Sequence, residues 1–281
     1  MTHNINSNHS PLSFIIMNKL FFGVIALFAL ILVVPACKDK EEVITGFGSV
    51  EIEFDNQAAG AALVFGKNYT NAAGEVLQFT TFDYYISNVV LVKNDGARYV
   101  VPKDQSYFLC KHDDASTRLL TINNVPAGDY TKLEFIVGVD SAKSVSPISE
   151  RIGVLDPATG ANGHYWSWNS GYIFLKMEGT SAVAPAASGN IFQYHVGLFG
   201  GYDSPTLNNV KTISLTAPDE AAIVREGGET PHFHLFADAL EIFGTPNTVS
   251  IATTPFSHGD AYSAKLSANY ADMFSIDHVH N

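Results

Sequence analysis

From Ser49 onward the chain is a succession of short alternating segments cut by turn residues, and that pattern confines it to β structure. "VEIEF" (50–54) alternates residue by residue. "YYISNVVLVKNDGARYVV" (84–101) reads as a hairpin with Asn94-Asp95-Gly96 at its turn, because these residues accept the backbone angles that hairpin turns require. "TRLLTINNVPAGDYTKLEFIVGV" (117–139) repeats the pattern of strand, loop and strand around Pro126-Ala127-Gly128-Asp129. Further strands are expected at 172–179, 192–199 and 210–217. Many short strands with such turns predict an all-β domain, an antiparallel β-sandwich of Ig-like or jelly-roll-like form. One late segment departs from this. "DAYSAKLSANYADMF" (260–274) is alanine-rich, with Leu266, Tyr270, Met273 and Phe274 at helical spacing, and predicts one short helix near the C-terminus. No linker, repeat or low-complexity tract interrupts 49–281, so this stretch is expected to be one domain.

The first residues are expected to lie outside that domain. Residues 20–34, "LFFGVIALFALILVV", form an apolar run behind Lys19 and end in "VPAC". That is the layout of a secretory signal, and the run is shorter than the ~20 residues of a membrane span. A Cys directly after the small residue Ala36 predicts a lipoprotein signal over 1–36, with Cys37 as the lipidated first residue of the mature chain. Met17 sits where such a signal ordinarily begins, so 1–16 reads as an over-extended start. Residues 37–48 form a tether whose "KDKEE" resembles the surface-export signal of Bacteroidetes-type lipoproteins. The expected location is the outer membrane, held by lipid on Cys37, on its periplasmic or cell-surface side. Of the 16 basic residues only Lys19 precedes Cys37, so the mature part sets 28 acids against about 15 cations, which argues against nucleic acid or anionic lipid as partners. With Cys37 carrying lipid, Cys110 is left alone and no internal disulfide is available.

No hydrolase elbow, P-loop, Rossmann glycine pattern or CxxC pair is present, and no nucleophile–base pair stands out, so the chain is not expected to be an enzyme. The chemistry rests with the histidines. Two pairs have H-x-H spacing, His232/His234 in "HFH" and His278/His280 in "DHVH". On a strand each pair projects from one face, about 7 Å apart, and neutral imidazoles suit Cu, Zn and Ni. The same residues equally suit solvated positions beside the "GGETP" turn or at a chain end. Asp277 and Glu178 are candidates to orient a ligand imidazole or are ordinary surface charge. His112 and His258 fall in polar segments and are set aside. "GHYWSWNSGY" (163–172) holds both tryptophans, and in extended form it puts His164, Trp166 and Trp168 on one side. The cluster reads either as core, as a stacking platform for sugar rings, or as part of a site.

"GHYWSWNSGYIFLKMEG" (163–179), followed by "FQYHVG" (192–197), resembles the MbnP-like family, and "FDYYISNVVLV" (82–92), "VPAGDYTKLEFIVGVD" (125–140) and "NYADMFSIDHVHN" (269–281) fit the same template. These are secreted proteins found beside methanobactin and copper-handling genes and as lipoproteins in Bacteroidetes. The resemblance implies a β-sandwich-like secreted domain, a link to copper, and a partner dihaem peroxidase of the MauG type that oxidises a tryptophan to kynurenine, which then joins histidines at a copper ion. Carried over here, Trp166 or Trp168 is the candidate for oxidation, and His164 and His195 are the candidate ligands, with His278 and His280 as further ones. Gly200-Gly201 after "HVGLF" leaves no cysteine at that point, so any role tied to one is absent. The expectation is an exported lipoprotein that binds copper(I) near one equivalent for uptake or handling. The alternative is a carbohydrate- or protein-binding surface module that uses Tyr165, Trp166, Trp168 and Tyr172 without metal.

Overall fold

The computed structural model describes residue 1 and residues 45–281, apart from Asn162, Asn169 and Ser170. The expected signal segment and the lipidation site Cys37 lie outside the described residues. The strands that carry the fold are, in chain order, β1 (Phe47–Ala58), β2 (Val76–Lys93), β3 (Leu119–Pro126), β4 (Gly128–Val137), β5 (Leu175–Thr180), β6 (Ile191–Val196), β7 (Lys211–Thr216), β8 (His232–Asp238), β9 (Phe256–His258) and β10 (Phe274–His280).

They form two sheets. The first runs β10–β8–β1, with β3 and the short strand Ala61–Ala62 also paired to β1. The second runs β7–β4–β2–β5–β6–β9, with short strands along β2 and β4. The expected all-β sandwich is present. Its pairing is mostly antiparallel, but β1–β8 and β6–β9 are parallel.

Period-2 patterning explains which side of each strand faces inward. Val50, Ile52 and Phe54 of β1 are buried, as are Phe233, Leu235 and Ala237 of β8. Across from them stand Phe82 and Tyr84 of β2, Phe135 of β4, and Leu175 and Met177 of β5. Phe54, Tyr84, Phe135 and Phe274 meet between the sheets edge to face, from 5.2 Å for Phe135–Phe274 to 6.0 Å for Phe54–Tyr84. Each such side chain contributes about 1.5–3 kcal/mol by leaving water, and the perpendicular ring geometry adds to that.

The hairpin expected over 84–101 forms, with Val90, Leu91 and Val92 paired to Val100, Tyr99 and Arg98. Gly96 closes its turn at φ +85°, a conformation costly for residues with a Cβ. The Pro126–Asp129 segment behaves differently. β3 pairs with β1 and β4 with β2, so this corner passes the chain from one sheet to the other instead of closing a hairpin. The expected helix is shorter than 260–274. It covers Ser263–Tyr270, buries Leu266 and Tyr270, and gives way to β10 at Phe274.

The second sheet is also covered on its outer side. Tyr85, Val139, Leu155, Tyr172, Phe174 and Phe199 make a separate apolar cluster there. Tyr165 and Tyr172 therefore sit over the sheet and not between the two layers, with Tyr172 the buried one.

Candidate metal centre

Three neighbouring strands of the first sheet present polar side chains on the face opposite the core. Ile52, Phe233 and Val279 point inward and are buried, so the residues on either side of each point outward. The register then aligns two rows. Glu51 pairs with His232 and His232 with His280, while Glu53 pairs with His234 and His234 with His278. With strands about 4.8 Å apart, this is a grid of two carboxylates and four imidazoles.

A β-bulge makes the third column possible. His234 pairs with His278, but Leu235 pairs with Ile276, which leaves Asp277 as the extra residue. Phe274 and Val279 both enter the core although five residues apart, an odd separation that a regular strand does not allow. The bulge absorbs the change of parity and turns His278 and His280 outward.

The imidazoles converge. The rings of His232 and His234 lie 4.3 Å apart, those of His234 and His278 4.5 Å, and those of His278 and His280 4.5 Å. His278 Nε2 and His280 Nε2 are separated by 2.9 Å. One ligand atom each from His234, His278 and His280 falls within 4.8 Å of the others, and the same holds for Glu53, His232 and His234. Asp277 Oδ2 lies 2.7 Å from His278 Nδ1. An ionised carboxylate only accepts, so Nδ1 carries the proton, and Nε2 on the far side of the ring is the atom that meets His280 Nε2 in a hydrogen bond. His232 Nε2 is buried without a hydrogen-bond partner, 3.5 Å from Glu53 Oε2. Burial lowers the pKa of His234, and His232, His278 and His280 add to the effect against the pull of Glu53. A ring held neutral in this way offers a lone pair to a cation.

The other predicted site residues belong to the second sheet. Asp83, Lys176, His195 and His258 stand in register across β2, β5, β6 and β9. Asp83 and His195 are thus two strands, about 10 Å, apart. His164 is buried with Nε2 3.1 Å from Asp83 Oδ2. His195 Nε2 lies 2.7 Å from Glu178 Oε1, and its ring stacks on His258 at 4.4 Å. Burial lowers the His195 pKa, opposed by the hydrogen bond to Glu178. Lys176 Nζ stands 3.9 Å from the same carboxylate. Trp166 stacks on Trp168 at 5.0 Å. A Cβ at Gly259 would lie 3.2 Å from either indole, so that glycine lets the pair settle beside His258. Trp168 is 50% exposed.

The structure thus gathers His278 and His280 with His232 and His234, and places His164 and His195 elsewhere. Among the described residues neither of the latter two belongs to a group of three converging donor atoms. Glu51 and Glu53 join the grid without having been singled out in the sequence, although their spacing in "VEIEF" sets them on one face. His258 was set aside, and only the parallel pairing of β6 with β9 brings it onto His195.

A family model described as MbnP matches residues 47–263. The solved structure of MbnP from Methylosinus trichosporium is similar at 17% identity and a TM-score of 0.48, over 77% of this chain and 82% of that one. No curated protein matches the chain.

Proposed function

Because the chain belongs to the MbnP family over most of its length, we propose that it is an exported lipoprotein that binds copper for uptake or handling, with the imidazole–carboxylate grid of the first sheet as its binding site. The observation that carries this reading is the convergence of His234, His278 and His280 within 4.8 Å. Three neutral imidazoles suit copper in either oxidation state, and Asp277 fixes one of them in the tautomer a metal needs. Anchoring through lipid on Cys37 at the outer membrane belongs to the same reading. So does a dihaem peroxidase partner that oxidises Trp166 or Trp168. The half-exposure of Trp168 supports access to such a partner.

The test is a copper titration of the metal-free mature protein against a competing chelator, beside the double variant His278→Ala/His280→Ala and the single variant His195→Ala. The double variant is expected to lose more than the roughly 10–100-fold that removal of an orienting partner costs. His195→Ala is expected to bind as the parent does. Loss of binding in His195→Ala alone would move the site to the second sheet, and no binding in the parent would end the copper reading. The exposed indole favours a second reading, a stacking platform for sugar rings. Under that reading Trp168→Ala abolishes glycan retention while metal has no effect.

A further inference from the structure

The grid contains two ligand groups and not one. His234, His278 and His280 form the first, Glu53, His232 and His234 the second, and they share only His234. A neutral imidazole carries one lone pair and one N–H, so a shared histidine serves two ions only as imidazolate. Its remaining ring proton passes to solvent as the second cation binds, which frees a lone pair on each nitrogen. We propose that the grid is a two-ion site in which His234 links a cation held by His278 and His280 to a second, divalent cation held by His232 and Glu53. This rests on the reading of the grid as a metal centre.

Three observations point to the second position. His234 Nδ1 lies 3.3 Å from Glu53 Oε2, so that edge of the ring faces the carboxylate group. His232 Nε2 is buried without a hydrogen bond, 3.5 Å from the same oxygen. A buried ring nitrogen left in this state is unfavourable, a penalty that an ion between the two atoms removes. Glu51 Oε2 stands 4.0 Å from His232 Nδ1, beyond hydrogen-bond reach but on the side where its charge favours the proton on Nδ1 over Nε2. The charge is also suitable, since Glu51, Glu53 and Asp277 put three carboxylates beside four imidazoles. Imidazoles alone would not offset two cations. The mixed oxygen and nitrogen donors of the second position suit Cu(II) or Zn(II), whereas the three-histidine position also accepts Cu(I).

The experiment loads the mature protein with Cu(II), removes excess by dialysis, and reads bound metal together with the electron paramagnetic resonance spectrum. The parent is expected to hold two ions that are magnetically coupled, with a half-field transition. His232→Ala and Glu53→Gln are expected to hold one ion, uncoupled, with the His278/His280 position intact. Glu53→Gln keeps the side-chain shape, and an unchanged thermal midpoint in the metal-free state confirms that it folds. One ion in the parent, or two without coupling, overturns the proposal. So does coupling that persists in both variants. Absence of any bound copper would instead overturn the copper reading on which the proposal rests.

Discussion

The histidines of the two sheets stand beside carboxylates in both cases but are grouped differently. In the second sheet each imidazole of the predicted site already has a carboxylate, Asp83 for His164 and Glu178 for His195, and the cation Lys176 stands in the same row. Each carboxylate accepts from the ring's Nε2, and Lys176 Nζ stands 3.9 Å from Glu178. In the first sheet imidazoles face one another, His278 Nε2 and His280 Nε2 at 2.9 Å, and one buried nitrogen has no hydrogen bond. A carboxylate beside an imidazole is common to both sheets. The difference is that three rings of the first sheet turn one donor atom each toward a common point, which neither His164 nor His195 does among the described residues.

Stability should separate the two groups of histidines most widely. Asp83→Ala should destabilise the fold by about 1–3 kcal/mol, because it leaves His164 buried without that partner. His280→Ala, at an exposed position, should change stability by about 0.5 kcal/mol or less. Urea unfolding of the metal-free proteins measures both, and equal losses would show that the grid is as structural as the row. A smaller effect sharpens the contrast on the binding side. Asp277→Asn should weaken copper binding by about tenfold by releasing the His278 tautomer, whereas Glu178→Gln should leave affinity unchanged. A drop in the Glu178 variant would reassign the site.

The smallest effect expected is that of pH. His234 and His195 both have folded-state pKa values below the ordinary imidazole value, chiefly through burial. Between that ordinary value, about 6.5, and the lowered ones, the unfolded chain binds more protons than the folded chain. The metal-free protein should therefore lose stability as pH falls below about 6.5. Copper-loaded protein should lose more, because protons then also compete with the metal. Thermal midpoints across that window check this, and a metal-free midpoint that rises on acidification would contradict the burial argument.

Much of the architecture was legible in the residues. "VEIEF", "HFH" and "HVH" each alternate, so the sequence alone determined that Glu51 and Glu53, His232 and His234, and His278 and His280 would project as pairs. The turn at Asn94-Asp95-Gly96 and the helix around Leu266 and Tyr270 were likewise local matters, set by backbone preference and by helical spacing. The family resemblance was carried by a tryptophan block whose own histidine, His164, turns out to be bonded to Asp83.

What the tertiary structure decided was which pairs meet. β1 and β8 are more than 170 residues apart, and no local pattern announces that they lie side by side in parallel. Their register, and the bulge at Asp277 that reverses the facing of the last strand, are fixed by packing Ile52, Phe233, Phe274 and Val279 into one core. A slip of one residue in any of the three strands would send its polar pair inward. The alternation that pairs these side chains is local, whereas their convergence depends on a hydrophobic core assembled from both ends of the domain.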